Sequence, residues 1–192
     1  MKKQISLLVV ALVAGLMLSA CGKKEEAAPA AAAPAAAPAP AAAIVVGLDD
    51  NFPPMGFKND KNELVGYDID LAREAGKRLG VEMEFKPIDW SAKEAELNGK
   101  RVDALWNGMT ITEERKKNVA FTKPYMQNHQ IVIVTAKSPI KAKADMAGKV
   151  VGVQDGSSAV DAVSKEDISK QFKELKKFGD NVAALMDLST GR

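Results

Sequence analysis

The stretch Ile44-Val45-Val46-Gly47-Leu48 decides the fold, because this short apolar, β-branched run is followed by a helix and then by a second strand. Such a run predicts a buried strand. From Tyr67 to Leu79 the apolar residues recur at a helical spacing, and Gly80 stands where a C-terminal cap is expected. Val81 to Phe85 then alternates apolar and polar residues, as a half-buried strand does. The folded part therefore begins with a β–α–β unit.

Strands and helices continue to alternate along the rest of the chain. After a loop over Asp49 to Phe57, the predicted strands are Val102 to Trp106, Gln130 to Thr135 and Lys149 to Val153. The predicted helices are Trp90 to Leu97, a short one beginning at Thr112 as N-cap, a turn over Ala142 to Met146, Ser158 to Lys177, and Asn181 to Leu188. This order predicts an α/β protein with largely parallel sheets. A break near Thr135 to Ser138 divides the pattern into two lobes, residues 44–135 and 136–192.

The first 20 residues have the organisation of a secretory signal peptide. Lys2 and Lys3 precede an apolar run from Ile5 to Leu18. That run is too short to span a bilayer, which requires about 20 apolar residues. We therefore expect residues 1–20 to direct export.

Cys21 is the single cysteine of the chain, so it has no intramolecular disulfide partner. Leu18-Ser19-Ala20-Cys21 resembles the lipobox of bacterial lipoproteins, in which the signal is cut before the cysteine and the cysteine is acylated with fatty acids such as palmitate. The alternative is an ordinary free or buried cysteine. The resemblance implies lipidation of Cys21 and a membrane anchor, with residues 21–43, rich in alanine and proline from Ala27 onward, as an extended linker.

The charge balance limits the partners. The chain has 27 basic and 25 acidic residues, and loss of Lys2 and Lys3 with the signal would leave 25 of each. A neutral mature chain has neither a basic surface for nucleic acid nor an acidic tail. We therefore expect no nucleic-acid partner.

Several motifs of the folded part resemble those of one bacterial family. They are Val46-Gly47-Leu48-Asp49 with Phe52-Pro53-Pro54, Val65-Gly66-Tyr67-Asp68-Ile69-Asp70-Leu71, Val102-Asp103-Ala104, Asn107 to Arg115, Ala120 to Tyr125, and Gly148 to Val153 with Gly156-Ser157-Ser158. In this order and spacing they resemble the extracytoplasmic solute-binding proteins of family 3, which bind amino acids for ABC importers.

This resemblance implies a two-lobed, periplasmic-binding-protein type II fold and a free, polar amino acid as ligand. It also implies delivery of the ligand to an ABC transporter permease, a location outside the cytoplasm, in the periplasm or on the cell surface, and no cofactor, metal or catalytic activity. Two alternatives stay open: a ligand-sensing domain for a membrane partner, and a periplasmic dehydratase-like enzyme on the same fold.

Arg115 is the candidate anchor for the ligand carboxylate. A free amino acid is a zwitterion, and a guanidinium can hold a carboxylate through two hydrogen bonds. The alternative is that Arg115 pairs with Glu113 or Glu114 on a solvated helix face. The resemblance favours ligand contact.

Asn107, Gly108 and Thr110 are, by resemblance, the other half of the carboxylate and ammonium cradle, although a plain turn would also favour Asn-Gly. Gly108 allows close approach of the backbone to a ligand. Phe52 stands where the family stacks an aromatic ring on the ligand.

Trp90 and Trp106 could add further walls to the site or belong to the core. Asp49 could reach a basic or amide-bearing ligand side chain, or it could cap a turn. His129, the sole histidine, has no partner at a recognisable spacing, and we expect it in a loop or hinge.

Ser157 and Ser158 open a predicted helix of the second lobe, where exposed backbone amides and hydroxyls favour a carboxylate. A simple N-cap role for either serine is compatible with that prediction. The ligand would lie between Arg115 and the two serines, with lobe closure about residues 135–137.

The resemblance also implies that the second lobe and the return to the first lobe are incomplete at Arg192. Leu185 to Arg192 resembles the segment that precedes a further strand in this family, and that strand carries an aspartate for the ligand ammonium. We therefore expect partly uncovered apolar faces on the helix from Tyr67 and on the strands of the second lobe. The alternative is a naturally short protein.

Overall fold

The predicted β–α–β unit is present in the computed structural model, which describes residues 43–192. Eight strands lie in this range: β1 Ala43–Leu48, β2 Asn51–Phe52, β3 Gly56–Lys58, β4 Leu64–Val65, β5 Glu82–Pro87, β6 Ala104–Leu105, β7 Val150–Gln154 and β8 Glu174–Phe178. The α-helices of the same range are α1 Tyr67–Leu79, α2 Lys93–Asn98, α3 Ser158–Ser164 and α4 Asn181–Ser189. Short 3₁₀ turns cover Trp90–Ala92, Arg115–Lys117, Lys143–Met146 and Asp167–Gln171.

The strands form two parallel sheets and one antiparallel sheet. β1 is the centre of the order β5-β1-β6, with Val46 opposite Phe85 on one side and Ala104 on the other. β7 and β8 pair in parallel over five residues. β2, β3 and β4 form a small antiparallel meander between β1 and α1. The α/β class and the parallel pairing predicted from the sequence are confirmed.

Helix α1 forms where its sequence favours both ends. Asp68 and Asp70 lie in the first turn and Lys77 and Arg78 in the last, which suits the helix dipole. Gly80 has a left-handed φ of 69° and donates its amide to the Gly76 carbonyl, so it ends the helix as predicted.

The core lies between α1 and the central sheet. Val46, Leu48 and Ile69 are at most 1% exposed, and Val102 is 2% exposed. Full burial of each such side chain contributes roughly 1.5–3 kcal/mol. This core holds the carboxyl ends of β1 and β6 side by side, which positions the loops that follow them.

The strand predicted over Gln130–Thr135 is wrong. These residues have no regular structure, and Ile131, Val132 and Ile133 are 75%, 54% and 53% exposed. A β-branched run becomes a strand only when a neighbouring edge supplies hydrogen bonds, and none of the described strands pairs with it.

The long helix predicted over Ser158–Lys177 is also wrong. The segment divides into α3, the 3₁₀ turn Asp167–Gln171 and β8. Pairing with β7 overrides the local helical preference, because Gly148 donates to Gln171 O at 2.7 Å and Lys173 to Lys149 O at 2.9 Å at the start of that ladder.

Smaller corrections concern the lengths of elements. The predicted loop Asp49–Phe57 contains β2 and the start of β3, because the chain folds back on itself there. The strand predicted over Val102–Trp106 contracts to β6, Ala104–Leu105, although Asp103 N and Trp106 N on either side of it also donate to Val45 O and Gly47 O of β1. The helix predicted at Thr112 is a single 3₁₀ turn, although Arg115 N does donate to Thr112 Oγ1 at 3.2 Å.

The proposed signal peptide, the Cys21 lipidation site and almost all of the linker lie outside the described residues. The described range begins within β1 at Ala43, the last residue of the linker predicted over 21–43, and the bounds of that linker stay a prediction. Within residues 43–192 no helix is long and apolar enough to cross a membrane. The exact lobe limits, 44–135 and 136–192, stay a prediction; a turn closed by Ser138 N on Thr135 O lies at the proposed boundary.

The predicted uncovered apolar surface has a mixed outcome. On α1, Tyr67 and Leu79 are 48% and 69% exposed, whereas Ile69 and Ala72 are buried. On α4, Leu185 and Met186 are 44% and 65% exposed. The strands β7 and β8 contribute no large exposed apolar side chain to the described surface.

Candidate functional site

The carboxyl ends of β1 and β6 are joined by a reciprocal pair of contacts. Asp49 N donates to Asn107 Oδ1 at 3.2 Å, and Asn107 Nδ2 lies 3.4 Å from Asp49 O. Asn107 is 3% exposed. Ligands of α/β folds bind beyond the carboxyl ends of parallel strands, so this edge is the expected location of a site.

Arg115 connects the two parts of the chain that lie before and after the predicted lobe boundary, residues 44–135 and 136–192. Its Nη1 donates to Thr110 O at 2.9 Å and its Nη2 to Gly156 O at 3.0 Å. The nearest carboxylate in the described chain is Glu94, at 3.8 Å from Nε, which is an ion-pair distance but not a hydrogen bond. The alternative pairing with Glu113 or Glu114 does not occur, because those residues pair with Lys116 and Lys117.

Lys93 reaches the same carbonyl from α2. Its Nζ donates to Gly156 O at 2.7 Å and to Trp90 O at 3.2 Å, and it lies 5.3 Å from the centre of the Trp90 ring. Lys93 is 4% and Arg115 7% exposed. Burial lowers the pKa of both groups, and the neighbouring guanidinium lowers that of Lys93 further.

Gly156 lies close to the backbone of a segment that is remote in sequence, residues 90–91. Its φ is +66°, and a Cβ there would lie 2.6 Å from Ser91 Cα. Only glycine tolerates both conditions. The Gly156 carbonyl is thereby aimed at the two cations.

A cleft of about 480 Å³ opens beside this junction. Its lining combines cations, acids and hydroxyls: Ser91, Lys93, Glu94, Ala95, Glu114, Arg115, Asn118, Asp155, Gly156, Ser157, Val160, Asp161 and Lys177. The cleft is of the size of small-molecule sites and offers partners for both charges of a zwitterion.

The hydroxyls of Thr110 and Ser158 form a second bridge between the parts, with 3.0 Å between Thr110 Oγ1 and Ser158 Oγ. Gln130 Nε2 donates to Ser158 Oγ at 3.0 Å, and Asn128 Nδ2 donates to Thr110 Oγ1. Ser157 is the N-cap of α3 and accepts from Ala159 N at 3.3 Å. The N-cap role considered for the serines therefore belongs to Ser157.

Gly108 and Phe52 lie together on a different side of the junction. Gly108 has φ +60°, and a Cβ there would lie 3.6 Å from Phe52 Cε1. Gly108 N donates to the Tyr125 hydroxyl at 3.0 Å, and that hydroxyl donates to Asp68 Oδ1 at 2.8 Å. The Gly108 amide is thus held by Tyr125, which is 43% exposed and is itself bonded to the buried Asp68.

Asp68 is the most deeply buried acid of the described chain, at 1% exposure. Its Oδ2 and the Trp106 Nε1 find no hydrogen-bond partner among the described residues. Burial raises the pKa of Asp68, and the tyrosine hydrogen bond only partly opposes that rise. Burial and the neighbouring carboxylate raise the pKa of Tyr125 as well.

Asp49 uses its carboxylate within the protein. Oδ1 accepts from Asn51 N at 2.9 Å, and Oδ2 accepts from Gln154 Nε2 at 2.7 Å. Burial raises its pKa despite these two hydrogen bonds. Asp49 thus both caps a turn and connects β1 to β7.

The two tryptophans occupy unlike environments. Trp90 is 6% exposed and packs against Lys93, so it belongs to the buried base of the junction. Trp106 is half-buried, with its ring centre 6.3 Å from that of Tyr125. His129 is exposed on an irregular segment, as expected.

The predicted site residues therefore form two neighbouring groups. Arg115 and Ser157 line the cleft, Trp90 lies beneath it, and Thr110 and Ser158 bridge beside it. Asp49, Asn107, Gly108 and Phe52 form the other group at the ends of β1 and β6. Sequence reasoning missed Lys93, Gln154, Asp68 and Tyr125; a lysine three residues after Trp90 on a helical turn was the available signal for the first.

No group of histidine, cysteine, aspartate or glutamate side chains suitable for a metal ion is found in residues 43–192. The acids that line the cleft are instead interspersed with lysine and arginine.

The fold is that of the two-lobed periplasmic binding proteins of type II, to which the similar solved structures belong. A solved ancestral arginine-binding protein bound to arginine is 42% identical, with a TM-score of 0.71 over 78% of this chain and 66% of that one. A histidine-bound ABC uptake transporter substrate-binding protein from Streptococcus pneumoniae is 38% identical, with a TM-score of 0.73 over 77% of this chain and 62% of that one.

The chain belongs to the bacterial extracellular solute-binding proteins, family 3, whose family model matches residues 44–187. The L-cystine-binding protein TcyJ of Escherichia coli K12 is 32% identical over 151 residues, which cover 78% of this chain and 56% of TcyJ. The chain thus spans slightly more than half the length of the curated relatives it matches. Its relatives are binding proteins of the extracytoplasmic space, as the sequence motifs predict.

Proposed function

We propose that this chain binds a free, polar amino acid outside the cytoplasm and delivers it to the permease of an ABC importer. The observation that carries the proposal is Arg115, a nearly buried guanidinium between the two parts of the chain whose hydrogen bonds go only to the backbone carbonyls of Thr110 and Gly156. A buried cation is stabilised best by an anion with matching geometry. The α-carboxylate of an amino acid is such an anion.

The ligand's ammonium group would find acceptors in the same cleft. Glu94, Asp155 and Asp161 line it beside the cations. Asp155 already pairs with Lys177 at 2.9 Å, whereas Glu94 lies near Arg115 without a hydrogen bond to it. A zwitterion therefore matches the mixed lining better than a simple anion or cation does.

Binding without turnover agrees with the use of the buried acids. The carboxylates of Asp49 and Asp68 accept hydrogen bonds from Gln154 and Tyr125, and neither lines the cleft. A general base must reach the proton that it removes. We therefore propose a carrier of amino acids in preference to a sensor or a dehydratase-like enzyme.

Export and anchoring complete the proposal. Lys2, Lys3 and the apolar run to Leu18 would direct secretion, and acylated Cys21 would hold the protein at the membrane through the alanine- and proline-rich linker. Family membership supports the extracytoplasmic location. A tethered binding domain can reach a permease in the same membrane.

A thermal-shift screen of the purified chain against the twenty common L-amino acids tests the function. A ligand at about a hundred times its dissociation constant stabilises the folded state by about 2.7 kcal/mol. We expect one or a few polar amino acids to raise the melting temperature. If no amino acid stabilises the chain or binds in calorimetry, the proposed function is wrong.

Arg115→Ala tests the site. We expect a loss of about 2–5 kcal/mol of binding free energy in calorimetry, because a buried charge loses its partner. Arg78→Ala is the matched control, since this arginine is 78% exposed on α1 and pairs only with Glu74. Arg115→Lys keeps the charge and should bind more weakly than wild type while retaining the native circular dichroism spectrum. Unchanged affinity in folded Arg115→Ala contradicts the assignment.

A further inference from the structure

Lys93 is a buried cation that the family motifs did not single out. It is 4% exposed, and its ammonium donates to two neutral carbonyls, those of Trp90 and Gly156. Within the described part of the chain no carboxylate lies at salt-bridge distance from it, although Glu94, Asp155 and Asp161 line the same cleft. A buried ammonium without a close anion is costly, because neutral carbonyls replace only part of its hydration.

The Gly156 carbonyl oxygen receives hydrogen bonds from both buried cations. Lys93 Nζ lies 2.7 Å from it and Arg115 Nη2 lies 3.0 Å from it. Two positive charges that converge on one neutral oxygen repel each other, and the Arg115 charge accordingly lowers the pKa of Lys93. The point between them is one where negative charge is strongly favoured.

Both residues also line the cleft of about 480 Å³, although they are only 4% and 7% exposed. Lys93 comes from α2 and Arg115 from the 3₁₀ turn Arg115–Lys117, and together they present donors from two directions. A carboxylate has two oxygens and about four acceptor positions, enough to pair with a guanidinium and an ammonium at once.

We propose that Lys93 is a second anchor for the ligand's carboxylate, shared with Arg115, and that the Gly156 carbonyl holds both cations until that carboxylate arrives. This inference rests on the proposed function, since it assigns a further residue to the same site. It makes the site selective for ligands with a free carboxylate over the corresponding amides. The carboxylate neutralises two buried cations, whereas an amide neutralises neither.

Calorimetry with paired probes tests the assignment: L-arginine against L-argininamide, and L-histidine against L-histidinamide. Lys93→Met keeps an unbranched side chain, one heavy atom shorter, and removes its charge. We expect the dissociation constant for the free acids to rise at least tenfold and that for the amides to stay unchanged. Lys93→Arg restores a cation and should recover most of the affinity for the acids.

Lys117→Met is the matched control, because Lys117 is 66% exposed near Arg115 and pairs with Glu114. It should leave all four affinities unchanged. The ligand-free stability of Lys93→Met, measured by urea unfolding, should equal or exceed that of wild type, since a buried cation is removed. If Lys93→Met does not fold, Lys93→Gln provides the same comparison of acid and amide.

Equal weakening of acid and amide by Lys93→Met would reduce Lys93 to a structural tie and overturn the inference. Unchanged affinity for the acids would overturn it as well, while leaving the proposed function intact. A wild-type chain that binds none of the four probes and no other common amino acid would overturn both.

Discussion

At the scale of single residues, Gly156 connects backbone conformation to the site. Its positive φ aims the carbonyl at Arg115 and Lys93, and its missing side chain allows contact with Ser91. The second condition comes from the packing of two distant segments, whereas the first is a local property of the turn. The two effects can be separated experimentally.

Gly156→Ala should destabilise the protein by about 2–4 kcal/mol for two reasons. The alanine would have to adopt a left-handed backbone conformation, and its Cβ would lie 2.6 Å from Ser91 Cα. Gly148→Ala is the matched control, with φ +68° and nothing within 4 Å of the added Cβ. It should cost only about 1–2 kcal/mol. Urea unfolding of both variants measures the difference, and equal losses would contradict the steric part of the argument.

Asp68 gives a prediction about pH. Its pKa is raised in the folded state, so between about pH 4, where an ordinary aspartate titrates, and the higher folded pKa the native protein holds more proton than the unfolded chain. Stability from this group is therefore present at low pH and declines as the pH rises through its folded pKa. The free energy of unfolding of wild type should fall relative to that of Asp68→Asn over this range.

Asp145 is the control, because its contribution to stability should change with pH in the opposite direction. Backbone amides of Lys141 and Ala142 lower its pKa, so its contribution is present above the ordinary value and is lost as the pH falls. Wild type should therefore gain stability relative to Asp145→Asn as the pH rises. Urea unfolding from pH 3 to 7 followed by tryptophan fluorescence distinguishes the two slopes, and parallel slopes for both variants would refute the assignment for Asp68.

At the scale of elements, the segment Gln130–Thr135 shows that a sequence can favour a strand without forming one. Its β-branched side chains favour a strand as strongly as those of β1. β1 lies between two partners, whereas this segment has none among the described strands. Pairing therefore decides between the two outcomes.

Hydrogen exchange measures this difference directly. No backbone amide of residues 131–134 finds an acceptor in the described chain, so these amides should exchange at nearly unprotected rates. The amides of Val46 and Leu48 on β1 serve as the internal control and should exchange only through large openings. Comparable protection of the two segments would show that residues 131–134 are paired.

At the scale of the whole molecule, we predict that membrane attachment depends on lipidation of Cys21, because the predicted mature chain has a balanced net charge that would give little attraction to anionic lipids. In the native host, the wild-type protein should fractionate with membranes and be released by detergent. Cys21→Ala should appear in the soluble extracytoplasmic fraction or remain unprocessed. Immunoblots of the fractions decide this, and unmodified wild-type protein in the soluble fraction would contradict lipidation.

Several elements could be predicted from the sequence because interactions between residues close in the chain determine them. The helix α1 and its Gly80 cap, the strands β1 and β7, and the α4 helix follow from periodicity and capping over a few residues. The family motifs also led correctly to the α/β fold and to the family itself. These signals are contained within each segment.

Other features depended on neighbours that are remote in sequence. Residues 174–178 became β8 because they pair with β7, and residues 130–135 stayed irregular because they pair with none of the described strands. The meeting of Lys93 and Arg115 at Gly156, 63 and 41 residues away, likewise exists only in the folded chain. Hydrogen bonding between distant segments and the desolvation of charge are properties of tertiary packing, so no local pattern predicts them.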